Sequence, residues 1–216
     1  QIAGIRVSTR PDAVETDVLS LLKQSGVTAI ELGAQSMDDR VLLQTAVVIR
    51  RREVESAARR IREMGFELGL QMMTGLPGDT PAGAENTLCQ LLSLEPDTMR
   101  IYPTIVLEGT LLAKQYLSGT YLPQLLEEAV SLCASLLLRC EEAGVPVIRL
   151  ACMRAAMWRR AISPGRGTRR SGSCAKAKFI IKTRLRAAGM PAGRLESSFE
   201  SGSALCFPNG GSAPQK

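Results

Sequence analysis

Histidine is missing from all 216 residues, which excludes imidazole catalysis and the commonest zinc ligand. Six cysteines are present, Cys89, Cys133, Cys140, Cys152, Cys174 and Cys206, but no pair has CxxC or CxxxCxxC spacing. The sequence therefore offers no thiolate set spaced to converge on a metal or cluster. No uninterrupted apolar run approaches the roughly 20 residues that a bilayer span requires, so no membrane-spanning segment is expected. The first residues carry no signal-peptide pattern. Gln1 leads at once into Ile-Ala-Gly-Ile-Arg-Val, a strand pattern that reads as a cut through a longer protein. Dispersed cysteines without a framework fit a reducing, cytoplasmic compartment.

What is present falls into two compositions. Residues 1–142 hold 19 of the 21 acidic side chains and 13 of the 27 Lys and Arg; residues 143–216 hold the other 2 and 14. The overall charge of +6 thus hides a mildly acidic globular part and a basic part rich in Arg, Gly and Ser. Such a composition reads as an irregular, largely disordered tail. The boundary is expected near Leu150, giving segments 1–150 and 151–216. Short helical turns are expected within the tail at 155–160 and 176–187.

Short apolar runs at residues 2–7, 29–33, 68–73, 99–102 and 147–150 read as buried strands. Helix patterns lie between them at 14–24 behind an Asp12-x-x-Glu15 capping box, and at 38–44, 54–64, 81–92 and 124–142. Strictly alternating β and α elements predict a parallel sheet with right-handed crossovers. The absence of a switch in the pattern favours an α/β fold of the partial (β/α) TIM-type barrel kind over a doubly wound sheet.

The most informative stretch is Phe66 to Thr80, FELGLQMMTGLPGDT. A strand runs there into a Gly-Leu-Pro-Gly turn, Thr80 can cap the next helix, and Pro81 suits its first turn. Loops after parallel strands are where α/β proteins bind small molecules. Gln35, at the end of Glu31-Leu32-Gly33-Ala34, offers an amide donor and acceptor, or it caps the next helix together with Ser36. Met72 and Met73 serve equally as core filler or as an apolar wall. Arg10 can meet a ligand carboxylate or form a surface ion pair. Glu31 is expected in a structural ion pair, and the helical thiols Cys89, Cys133 and Cys140 are expected to be buried.

Four motifs in order, Ser8-Thr9-Arg10-Pro11-Asp12, Glu31-Leu32-Gly33-Ala34-Gln35-Ser36, Gln71 through Thr80, and Arg100-Ile101-Tyr102-Pro103 with Glu108-Gly109-Thr110, resemble the radical SAM superfamily. The branch is the one with Elp3-like and oxygen-independent coproporphyrinogen III oxidase-like members. The resemblance covers about residues 2–150 and implies the C-terminal portion of a partial barrel. It also implies a [4Fe-4S] cluster on a CxxxCxxC loop that reductively cleaves S-adenosylmethionine (SAM) to a 5′-deoxyadenosyl radical. By position it assigns Gln35 to the ribose, Gln71 to the ribose or methionyl end, and Met73 and Ile105 to the adenine. Ser8 stands where relatives place a ribose-binding Glu, with a shorter reach. Elp3-like relatives imply a tRNA substrate, and oxidase-like relatives imply porphyrinogen chemistry.

The sequence departs from that pattern in three places. The cluster cysteines of the family would lie before Gln1. Thr45-Ala46-Val47-Val48-Ile49-Arg50 stands where relatives carry Thr-Gly-Arg-Gly-His-Thr, so Val47 replaces the arginine near the SAM carboxylate. Leu150-Ala151-Cys152-Met153 stands where they carry Leu-Gly-Leu-His. Plausible family codons read one base later encode both replacements, so residues 46–52 and roughly 151–188 are expected to be out-of-frame translation. Sequencing the encoding DNA checks this: a single frame with strong coding bias across both segments would contradict it. A fragment of a radical SAM enzyme, inactive alone, is the expected function. The alternative is a basic-tailed nucleic-acid-binding module; against it, Trp158, Phe179, Phe199 and Phe207 are the only aromatics after residue 142.

Overall fold

The computed structural model describes residues 4–45 and 48–150. The expected tail at 151–216, its helical turns, and residues 46 and 47 of the atypical segment lie outside the described residues. The elements are β1 (Ile5–Thr9), a 3-10 turn (Pro11–Ala13), α1 (Thr16–Gln24), β2 (Val27–Gln35), α2 (Asp39–Gln44), α3 (Arg51–Glu63), β3 (Glu67–Thr74), α4 (Pro81–Leu92), β4 (Thr98–Pro103), α5 (Leu111–Leu117), α6 (Leu126–Glu142) and β5 (Val147–Leu150). The five strands form one sheet in the order β1-β2-β3-β4-β5, and every neighbouring pair is parallel. A doubly wound sheet would reverse its strand order at a switch point. This order never reverses, as in a (β/α) barrel.

The two faces of the sheet differ. Ile30, Leu32, Leu68, Leu70, Met72, Met99 and Ile101 are fully buried and join Val54, Ala57, Ala58, Ile61, Leu88 and Leu136 of the helices in one core. On α3 those residues recur every three or four positions, which puts them on one stripe. The opposite face is polar: Ser8 is in register with Glu31, Glu31 with Gly69, Gly69 with Thr98, Gln71 with Arg100, and Arg100 with Arg149. Period-two alternation thus gives helices one side and a polar surface the other. Leu70→Ala should cost about 2–5 kcal/mol through the cavity left in the core, read by urea unfolding.

Several boundaries differ from the sequence reading, for local reasons. Asp12 does not cap α1; it pairs with Arg10 through Nε at 2.9 Å and through Nη2, and the chain makes a 3-10 turn before the helix starts at Thr16. The α3 helix begins at Arg51, not 54, because Glu53 accepts from the Arg50 N–H at 2.6 Å and Asp39 from the Arg51 N–H at 2.8 Å. Its first turn is polar and carries no apolar periodicity. The cap of α2 is Asp38, whose Oδ1 accepts from the Arg40 N–H at 2.8 Å. Ser36 is buried instead, accepting from the Asp38 N–H at 3.1 Å and lying 3.3 Å from the Thr87 hydroxyl. Helix α5 was not expected; Thr110 caps it by accepting from the Ala113 N–H at 3.1 Å.

Cys133 and Cys140 are buried as expected, whereas Cys89 is exposed, contrary to expectation. Burial pushes the Cys140 thiol up to about 12. A maleimide should therefore label Cys89 and spare Cys133 and Cys140 in the folded protein, as peptide mapping would show. Labelling of Cys140 at the rate of Cys89 would contradict the packing of α6.

Candidate functional site

A cleft of about 900 Å³ opens at the carboxyl ends of the strands. Ser8, Gln35, Gln71, Met73 and Ile105 all line it, although they come from three strands and a loop. Gln71 and Met73 reach it because they alternate with the buried Leu70 and Met72 along β3. Ile105 reaches it from the loop after β4, where the Thr104 N–H donates to the Thr74 carbonyl at 2.9 Å.

Gln35 has the least ordinary geometry. Its φ is +64°, a left-handed conformation that costs a residue with a Cβ about 1–3 kcal/mol. The β2–β3 register slips between Gly33 and Gln35, and the irregularity re-aims the side chain, as bulges beside sites do. Gln35 Oε1 is buried without a hydrogen-bond partner. This amide therefore does not cap α2. Gly33 makes room for it, since a Cβ there would lie 2.8 Å from Gln35 Nε2.

The Gly-Leu-Pro-Gly turn forms as expected, with Thr80 accepting from the Gly83 N–H at 3.0 Å and Pro81 in the first turn of α4. Gly78 has φ +75°, so the backbone conformation favours glycine there, and the Gln44 amide fills the space a Cβ would take. The sequence reading missed two supports. The buried Tyr121 hydroxyl donates to the Gly75 carbonyl at 2.7 Å, and burial pushes it up to about 12. Leu111, Leu112 and Gln115 of α5 build a further wall. The signal for that wall was Glu108-Gly109-Thr110, a turn followed by a capping threonine.

Charge at the cleft floor centres on Glu31, which is 1% exposed. Arg100 Nε lies 2.8 Å from Glu31 Oε2, but neither atom completes an aligned hydrogen bond, so charge holds the contact. Burial raises the Glu31 carboxyl above its ordinary value; Arg100, Arg6, the Ser8 hydroxyl and Arg149 offset only part of that. Nearby, Arg6 hydrogen-bonds Thr98 at 3.1 Å and pairs with Glu67. Burial also raises the Asp79 carboxyl beside the turn, against hydrogen bonds from the backbone of Thr80 and Gly75.

The residues present suit an adenosyl ligand: a buried amide oxygen awaiting a donor, a second amide at Gln71, and apolar walls from Met73 and Ile105. They do not suit a cluster, because among the described residues no three His, Cys, Asp or Glu are grouped to hold a metal. Nor is any described helix long and apolar enough to cross a membrane.

Comparison with known proteins gives concordant results. The model of the radical SAM superfamily matches residues 1–89, and that of the radical SAM C-terminal domain matches residues 96–170. The tRNA uridine(34) acetyltransferase of Dehalococcoides mccartyi is 32% identical over 124 residues, 56% of this chain and 27% of that protein. The heme chaperone HemW of Bacillus subtilis is 32% identical over 106 residues, 49% of this chain and 28% of that protein. The chain thus spans little more than a quarter of the length of these relatives. The solved structure of Methanocaldococcus infernus Elp3 with an N-terminal deletion superposes with a TM-score of 0.73 at 19% identity, covering 87% of this chain and 42% of that one, a likeness of fold.

Proposed function

The chain belongs to the radical SAM superfamily, and from that premise we propose that its strand ends bind SAM as the adenosyl-holding portion of a radical SAM enzyme. The observation that carries the reading is the strained Gln35, whose buried Oε1 lacks a partner in the cleft shared with Gln71, Met73 and Ile105. Backbone strain kept at a ligand site is paid back by the contact it positions. In this reading Gln35 holds a ribose hydroxyl, Gln71 the ribose or the methionyl end, and Met73 and Ile105 the adenine faces. Ser8, which lines the cleft on β1, adds a short hydroxyl beside the ribose.

Together, SAM and a [4Fe-4S] cluster supply reductive radical chemistry in this family. No CxxxCxxC occurs in residues 1–216, so the chain is assigned SAM binding without cluster ligation and is expected to cleave no SAM alone. A tRNA substrate for the complete enzyme is supported by the tRNA uridine(34) acetyltransferase relative. Equilibrium dialysis tests the binding: labelled SAM should be retained saturably, and Met73→Trp, which fills the adenine side, should abolish retention while circular dichroism stays unchanged. No saturable retention by the unaltered chain would overturn the proposal.

A further inference from the structure

We propose that Arg10, held by Asp12, receives the α-carboxylate of SAM in this chain. The inference rests on the SAM-binding reading above and adds the anchor for the amino-acid half.

Among the described residues lining the cleft, Arg10 is the one cation. It directly follows β1, at the end of the sheet opposite the proposed adenine walls on β3 and after β4. Three strand spacings separate β1 from β4, roughly 14 Å at about 4.8 Å each. That is the scale of an extended nucleoside with an amino-acid tail. A ligand whose adenine rests on Met73 and Ile105 and whose ribose rests on Gln35 and Gln71 therefore carries its far end over β1.

The guanidinium is also suitably presented. Asp12 accepts from Nε at 2.9 Å and from Nη2, which occupies one edge of the planar group. The other edge, Nη1 with the second Nη2 hydrogen, has the fork geometry that a carboxylate accepts in bidentate fashion. Arg10 is 71% exposed, so the Asp12 pair contributes little to folding and can adjust to a ligand. The remaining charge lining the cleft, Glu31, is engaged by Arg100 and repels a carboxylate. Arg50, the cation that ends the segment Thr45-Ala46-Val47-Val48-Ile49-Arg50, is not among the residues that line the cleft.

The test compares SAM with decarboxylated SAM, which differs by the carboxylate alone, on the chain and on Arg10→Ala, by calorimetric titration. Expected is a loss of roughly tenfold in SAM affinity, no change toward decarboxylated SAM, an unchanged melting temperature, and partial rescue by Arg10→Lys. Equal losses for both ligands, or no loss for SAM, would overturn the role of Arg10 while leaving the SAM site intact. If neither ligand binds the unaltered chain, the site itself is refuted and this inference falls with it.

Discussion

Arg100→Leu should lower the stability of the folded chain by about 3–5 kcal/mol near neutral pH, the usual result of stranding one member of a buried ion pair. Glu31 is almost completely enclosed, and Arg100 is the charge that most offsets the effect of that burial on its carboxyl. The direction of the pH dependence follows from the Glu31 carboxyl, which lies above its ordinary value in the folded state. A carboxyl raised on folding stabilises most below its unfolded pKa, and that contribution fades as the pH rises through the folded value. Removing Arg100 raises the folded value further. Urea unfolding should therefore show a deficit that is large at about pH 7.5 and smaller at about pH 5. A deficit independent of pH would mean that the pair is not what holds the floor of the cleft together.

Gln35→Gly should have the opposite profile. Glycine accepts a φ of +64° without a Cβ penalty, although its freer unfolded chain offsets part of the gain. Stability should stay within about 1 kcal/mol of the unaltered chain. SAM affinity should fall roughly five- to tenfold through the lost amide contact, and on the order of 30- to 100-fold when Gln71→Ala is added. A residue kept only for folding would show stability and affinity falling together. Here they should separate.

Much of the architecture was legible because single physical patterns dictate it. The apolar runs at 68–73 and 99–102 became β3 and β4 almost residue for residue, since strands between two helices have little choice of face. The Thr80-Pro81 start of α4 formed as read, because capping is local chemistry. Elements whose cause lies elsewhere in the chain were less legible. The polar first turn of α3 is anchored by Asp39, twelve residues earlier. Tyr121 reaches back to Gly75, and no local pattern announces a hydroxyl that braces a turn 46 residues away.

The site shows the same division. Gln35 could be placed at a strand end from its neighbours, but its left-handed backbone arises from a register slip against β3, a tertiary event. Glu31 forms the ion pair expected of it, but its partner Arg100 stands on β4, two strands away in the sheet and 69 residues on in the chain, beyond any local pattern. Ser36 looked like a helix cap because serine often is one, yet Thr87 of α4 faces it and Asp38 takes the cap.

The central claim is that neighbouring parallel strands bring Gln35, Gln71, Met73 and Ile105 to one adenosyl-binding rim. The most direct measurement is a SAM titration followed by NMR of methyl-labelled Met and Ile together with the glutamine side-chain amides. The account predicts that the Met73 and Ile105 methyls and the Gln35 and Gln71 amides shift along one common binding curve, while Ile30 and Met99, on the helix-covered face, stay in place. Saturable binding that moves Ile30 or Met99 but leaves the four rim residues unmoved would contradict it.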